Sequence, residues 1–585
     1  MAKERRTEPG RGRAIAAIII LLVLIALAWF VGRPVLQGML PSREHVDLRG
    51  YLGLFGAEDA AVMLGENRSS GDAIVRGGNI YWDLGNVKRN FSNKFWANLD
   101  EGILLFTTAD EVVRAEAGEL FYTRHAEAVP SGGVEPEMVR TEMPVFFIER
   151  GRGYVALEYA KQFSNFTYDF FKDPYRVQIY ARDGSYKSAA LLKNTVLRKA
   201  GDKKSAVVSE LSKDDTVFIL TPMGDWSKVR TKDALIGFVE NRYLPEEKTS
   251  FEVVIPQDYT PPPYTALTED RLICLGWHQV SVADANAYLD DMVDPAWPLD
   301  VVSPTWYSIA DGSGTVNSIA WQSYVERAHG RGLEVWPLVD DFADGLDRVE
   351  LLMTTASRDN FVSYMIAQAE ELGFDGINLD FEVVPLEAAS GFEQLVRELS
   401  VACRAYGLVF SIDNYPPRAH TEHYNRGLQG EVADYVIIMG YDEHWGSSSG
   451  AGSVASLPFV TDAIERTLSV VPAKKTINAV PFYTRIWSTS HEDGSVRVEA
   501  TVGQKSQDEW VARRELEPIW SEELGQNYTQ IDENKRTYQV WLENEASMQT
   551  RIDAMKGYGL GGVACWRLGL EPANIWDILG EYTRG

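Results

Sequence analysis

The chain has 585 residues, a formal net charge of -27 and 45% hydrophobic residues. It is too long for one core and too apolar for a disordered chain, so length predicts three or four domains. So acidic a surface repels nucleic acid, excludes it as a partner and suits a body outside the cell. Cys274, Cys403 and Cys565 are the only cysteines. An odd, sparse set is no disulfide framework and predicts small buried apolar residues.

Residues 1–13 carry Lys3, Arg5, Arg6, Arg11 and Arg13, and Ala14 to Gly32 form an unbroken apolar run. At about 1.5 Å per residue that run crosses a hydrocarbon core of roughly 30 Å. The basic flank predicts a cytoplasmic tail at 1–13, a single transmembrane signal anchor at 14–32 and an extracytoplasmic body. The alternative is a secreted protein cleaved at the small-x-small site Ala26-Leu27-Ala28. The apolar residues Trp29, Phe30 and Val31 continue past that site and favour the uncleaved anchor.

From 45 to 185 short β-rich runs alternate with turns, as in 73–81, 143–148 and 153–157, and predict a β-rich or α+β stalk domain. Its hairpin Glu149-Arg150-Gly151-Arg152-Gly153-Tyr154-Val155 is weakly similar to amine-oxidase-like N-terminal stalk domains. No ligand cluster accompanies it. From 187 to 246 come short strands at 194–198, 215–220, 225–230 and 236–239, and this run resembles bacterial SH3-like barrels, modules found on peptidoglycan-processing enzymes. The stretch 247–267, with Pro256 and Pro261-Pro262-Pro263, reads as a stiff linker.

From 268 to 585 apolar strands alternate with amphipathic stretches that stop at glycine. Strands are predicted to begin at Leu272, Val301, Glu334, Asp375, Leu408, Asp434, Thr476 and Leu560. Eight strands with intervening helices suit an α/β fold of the TIM (β/α)8 barrel class. The polar stretch 488–538 reads as a small α+β insertion between strands seven and eight. The fourth strand is the informative one. In Gly373-Phe374-Asp375-Gly376-Ile377-Asn378-Leu379-Asp380-Phe381-Glu382 a period of two puts Ile377, Leu379 and Phe381 on one face and Asn378, Asp380 and Glu382 on the other. Two carboxylates two residues apart repel, so one tends to hold a proton near neutrality, as a general acid must.

These residues resemble the signature DxxDxDxE of glycoside hydrolase family 18, with Asp375, Asn378, Asp380 and Glu382 in its four places. The resemblance extends to Met439-Gly440-Tyr441-Asp442 at the end of strand six and to Trp566 on strand eight, the platform on which a sugar ring stacks. Tyr483 and Arg485 on strand seven, Asn414 within the strand-five end Asp413-Asn414-Tyr415 and Trp306 on strand two complete the expected substrate-binding set. The resemblance implies Glu382 as the acid, Asp380 orienting a substrate acetamido group and Tyr441 holding its carbonyl oxygen. The substrate supplies its own nucleophile, and no metal or organic cofactor takes part. Asn378 departs from the aspartate of the pattern. It cannot relay a proton, though it can hydrogen-bond and orient Asp380.

The Asn378 substitution and the stretches Trp541-Leu542-Glu543 and Tyr558-Gly559-Leu560-Gly561-Gly562-Val563 are similar to the branch that includes spore-cortex N-acetylglucosaminidases. The expected activity is therefore cleavage of β-1,4 bonds after N-acetylglucosamine in peptidoglycan. Chitin hydrolysis and a silent glycan-binding barrel are the alternatives. In a third reading the N-terminal modules are the functional part.

Overall fold

A computed structural model describes residues 11–69, 71, 73–127, 135–268 and 271–585. The chain divides into two compact units, one of residues 1–92 and 154–259, the other of 93–153 and 260–585. The expected 45–185 stalk is therefore split between them.

The first unit begins with helix Arg11–Met39. The expected anchor at 14–32 falls in it, but described side chains on this helix run only from 15 to 29. Among the described residues no helix is long and apolar enough to cross a membrane. The tail at 1–10 lies outside the described residues. A mixed sheet follows, in which Asp59–Leu64 runs parallel to Arg176–Tyr180 and antiparallel to Ala73–Arg76. The run at 73–81 is not one strand. It turns at Gly77 and Gly78, whose φ of 55° and 87° suit glycine, and returns as Asn79–Asp83.

The four strands expected between 194 and 239 are present. They belong to a seven-stranded sheet whose far edge is Gly184–Ala190 paired with Thr249–Val253. The sheet thus runs past the expected limits 187 and 246, and the predicted linker 247–267 begins with a strand. Leu197, Val217 and Val229 of this sheet share one core with Leu52, Leu54, Ala61 and Met63. A self-contained SH3-like module is not what this packing describes.

In the second unit eight parallel strands close on themselves: Ile273–His278, Val301–Ile309, Leu338–Asp340 with the short Glu334–Val335 before it, Gly376–Asp380, Val409–Asn414, Tyr435–Met439, Thr476–Pro481 and Gly562–Trp566. Each begins within two residues of its expected start. The third strand breaks where Pro337 has no N–H to give the ladder. Ile273, Leu275, Trp277, Leu338, Ile437, Ile477 and Ala564 fill the barrel. Ile377, Leu379 and Phe381 face the helices, as their alternation predicts. The three cysteines are free and buried.

Strand four is introduced by a tight exit from helix Thr355–Leu372. Gly373 caps that helix at φ 73°, a left-handed conformation that costs glycine nothing. At Gly376 a Cβ would stand 2.7 Å from the Val409 carbonyl oxygen and 2.8 Å from the Trp336 ring, so only glycine lets strand four lie this close.

Residues 93–153 add a five-stranded antiparallel sheet, Phe95–Asn98 to Glu137–Arg140, to the barrel's helices. Trp96, Ile103, Leu105 and Val112 join the barrel's outer core. Arg114 pairs with Asp359 at 3.1 Å, Gln394 donates to Thr107 at 2.9 Å, and Arg358 sits 4.2 Å over the Trp96 ring while bonded to Glu398. The insertion runs from Tyr483 to Leu542, wider than the expected 488–538. It is a five-stranded antiparallel sheet with helix Gln504–Ala512.

Candidate active site

Parallel strands present their C-terminal ends on one face of a barrel, and there the inward side chains of strands three to eight converge. A cavity of about 210 Å³ is lined by Asp380, Glu382, Asp413, Tyr415, Met439, Tyr441, Asp442, Tyr483 and Trp566, over a floor of Trp277 and Leu338. A second cavity of about 400 Å³ continues from it, sharing Leu338, Phe342, Asp380 and Trp566 and opening between strands one and two. Trp566 stands edge-on to Trp277 with centroids 5.8 Å apart, its remaining surface bordering both cavities.

Carboxylates dominate the electrostatics. Burial first, and then the charges of Asp413, Glu382, Asp340 and Asp341, push the Asp380 carboxyl well above its usual range. Asp380 Oδ1 is buried with no hydrogen-bond partner. Burial also raises Glu382, opposed by a hydrogen bond from Tyr415 and reinforced by Asp341, Asp442 and Asp340. Asp413 is driven up by burial, against a hydrogen bond from Asn378. A carboxyl that holds its proton more tightly than usual, beside a buried acceptor without a donor, is what proton donation next to a binding point for an N–H requires.

The segment after strand four is held from two sides. Asp341 accepts the backbone N–H of Glu382 at 3.0 Å and of Val383 at 3.3 Å, and is itself paired with Arg348 at 2.9 Å. The N–H of Val384 donates to Tyr424 Oη at 3.1 Å. At the end of strand six Asp442 adopts φ 60°, a left-handed conformation that Asp tolerates. Its carboxylate accepts the Tyr483 hydroxyl and pairs with Arg485 at 2.8 Å. Burial keeps Tyr441 and Tyr483 as phenols, above the ordinary range.

Of the expected residues, Glu382, Asp380, Tyr441, Met439, Asp442, Tyr483 and Trp566 meet in the first cavity. Five do not. Asp375 sits at the opposite end of strand four, bound to the Val335 N–H and His329 at 2.8 Å, because five residues of strand separate it from Asp380 by about 16 Å. Asn378 is fully buried in the barrel. It accepts from Trp277 Nε1 and Ser303 and donates to Ser411 and Asp413, so it does not reach substrate and makes no bond to Asp380. Asn414 faces outward to Gln429 at 2.6 Å. Trp306 borders the second cavity, yet it is buried with its indole N–H given to Asn286. Arg485 reaches the site through Asp442. Conversely, Trp277, Phe342 and the pair Asp340-Asp341 belong to the site and were not expected, and the strand-five end Asp413-Asn414-Tyr415 meets the cavity through Asp413 and Tyr415 rather than Asn414. The consecutive acids of Val339-Asp340-Asp341-Phe342 at a strand end were the available signal. Among the described residues no three His, Cys, Asp or Glu side chains are arranged to hold a metal ion.

Residues 340–571 match the family model described as Glycosyl hydrolases family 18. The uncharacterized glycosylase YvbX of Bacillus subtilis (strain 168) is 24% identical over 273 residues, 44% of this chain and 77% of that protein. The cortical fragment-lytic enzyme of the same organism is 27% identical over 41% of this chain, which spans little more than half, 57%, of that relative's length. The crystal structure of the Bacillus megaterium QM B1551 spore cortex-lytic enzyme SleL superposes with a TM-score of 0.48 at 19% identity, covering 57% of this chain and 76% of that one.

Proposed function

We propose, for a chain that carries a glycosidase domain of glycosyl hydrolases family 18, matched over residues 340–571, cleavage of β-1,4 bonds after N-acetylglucosamine with retention, the substrate's own acetamido oxygen acting as nucleophile. The observation that carries this reading is Asp380, which lines both cavities and has a buried carboxylate oxygen, Oδ1, left without a donor. The acetamido N–H of a bound sugar supplies that donor, and Tyr441 donates to the acetamido carbonyl.

In the first step the acetamido oxygen bonds to the anomeric carbon as the glycosidic C–O bond breaks, and Glu382 gives its proton to the departing oxygen. The electron pair of the broken bond stays with that oxygen. In the second step Glu382 takes a proton from water, the water oxygen bonds to the anomeric carbon, and the oxazolinium ring reopens. Trp566 supplies an apolar ring face for the sugar.

The substrate proposed is peptidoglycan or spore cortex, supported by the cortical fragment-lytic relative and by Asn378 in the signature. The basic tail and the apolar run 14–32 support an extracytoplasmic barrel tethered to the cell membrane, which protease applied to intact spheroplasts removes. The decisive experiment digests peptidoglycan and N-acetylglucosamine oligomers in parallel and weighs the products. Glu382→Gln keeps the shape and lowers kcat by about 10²–10⁴-fold. An oligomer with glucose in place of N-acetylglucosamine goes uncut. A covalent sugar trapped on a protein carboxylate overturns the mechanism.

A further inference from the structure

Strands three, four and five carry one acid each at the same level of the barrel. Asp340 is in register with Asp380, and Leu379 with Ile412, which sets Asp413 beside Asp380 on the next strand. Paired residues of parallel strands point to the same face, and both carboxylates line the same cavity. Adjacent strands lie about 4.8 Å apart, too close for two desolvated carboxylates to be charged together. Neither has a cationic partner among the described residues. The guanidiniums bound to neighbouring acids are committed there, Arg348 to Asp341 and Arg485 to Asp442. The polar and titratable groups facing the pair are carboxyls, an amide and phenols: Asp340, Asp341, Glu382, Asn378, Tyr415 and Tyr441.

Asn378 decides where the proton can go. Its carbonyl oxygen is taken by Trp277 and Ser303, so its amino group is forced toward Ser411 and Asp413, reaching Asp413 Oδ1 at 2.9 Å. An amide fixed in this way can neither accept nor store a proton. We infer that Asp413 is the proton partner of Asp380, a positioning residue on strand five that does for Asp380 what an acid at position 378 of the same strand would do. One proton is shared by the pair. When the substrate N–H approaches, the proton rests on Asp413 and the negative charge on Asp380, and when product leaves the proton returns. No proton enters or leaves the protein in this exchange. Because the pair carries one charge in either arrangement, Asp380 can become an acceptor without releasing a proton to solvent.

This role rests on the proposed reaction, but its first test does not. Infrared titration of the ligand-free full-length chain reads protonated carboxyls directly. Asp413→Asn and Asp380→Asn should each remove the same high-pH protonated-carboxyl band. Independent bands, or a band untouched by Asp413→Asn, overturn the pairing whether or not the chain cleaves any glycan. The second test is kinetic, on N-acetylglucosamine oligomers. Asp413→Asn still accepts the Asn378 amide hydrogen, so the contact survives and only the proton is lost. Asp380 must then ionise alone, and the acidic limb of kcat moves to higher pH by about one unit or more, with KM little changed. The exchanged pair Asn378→Asp with Asp413→Asn reverses the same hydrogen bond and should restore the wild-type limb. A double variant no better than Asp413→Asn overturns the inference, because a merely structural Asp413 is not rescued from the neighbouring strand.

Discussion

Asp341→Asn tests whether the acid is held by its backbone. Asp341 has 1% of its side chain exposed and accepts two consecutive N–H groups while paired with Arg348. An asparagine there can keep the Glu382 N–H on its oxygen, but its amino group then faces the Val383 N–H and the Arg348 guanidinium, donor against donor. Losing a charge-assisted hydrogen bond in such a place costs about 1.5–3 kcal/mol. If that energy holds the Glu382 segment in its reactive position, kcat falls roughly 10- to 150-fold, at 1.36 kcal/mol for each factor of ten. Steady-state kinetics on N-acetylglucosamine oligomers, with thermal unfolding alongside, separate the possibilities. At about 2 cal/mol/K of unfolding entropy per residue, a unit of this size loses only about 1–2 °C of Tm per kcal/mol. A variant whose Tm falls by the full amount while kcat stays within about twofold of wild type would refute the reasoning, showing that Asp341 holds structure but not the acid.

Asp380→Asn should stabilise the protein as pH rises. The folded carboxyl titrates above its unfolded value, so its contribution is complete below about pH 4 and is lost as pH climbs through the folded value. The gain in Tm is therefore larger at about pH 8 than at about pH 4, and an equal gain at both sinks the claim. Asp375→Asn should leave kcat and KM unchanged and cost about 1 kcal/mol of stability, because its bonds are to Val335 and His329; a large loss of turnover contradicts that placement. Arg551→Met strands the buried Glu543, which Arg551 binds through two bonds of 2.6 and 2.8 Å, and should cost about 3–5 kcal/mol in thermal unfolding. An unchanged unfolding midpoint would show that Glu543 is neutralised some other way.

The fourth strand was legible because its period of two is local: Ile377, Leu379 and Phe381 could face only one way once Asp380 and Glu382 faced the other. The barrel's strand starts were legible for the same reason. Strand five shows where such reading stops. Asn414 and Asp413 are adjacent, and choosing between them needs the register against strand four, where a slip of one residue exchanges the two faces. Asp375 was misplaced because a signature states spacing in residues, while a strand converts that spacing into a distance that carries it out of the site. Asn378 has no local mark that says whether it meets substrate. Its four partners come from strands one, two and five. Residues 93–153 read as a continuation of the stalk because the strands from Phe95–Asn98 to Glu137–Arg140 pair only with one another. What binds them to the barrel is the packing of Trp96, Ile103, Leu105 and Val112, a contact at long sequence separation.

That placement changes what counts as a piece of this protein. The chain passes from one unit to the other at 92–93, 153–154 and 259–260, so no single cut liberates either. A fragment beginning at 260 would strip the apolar cover from helices Thr355–Leu372 and Ala389–Ala405, leave Arg358 without the Trp96 ring and leave Gln394 without Thr107. Such a face invites aggregation rather than folding. The barrel cannot be handed to another protein as one contiguous cassette. It has to be moved in two stretches of sequence or carried together with the unit threaded between them.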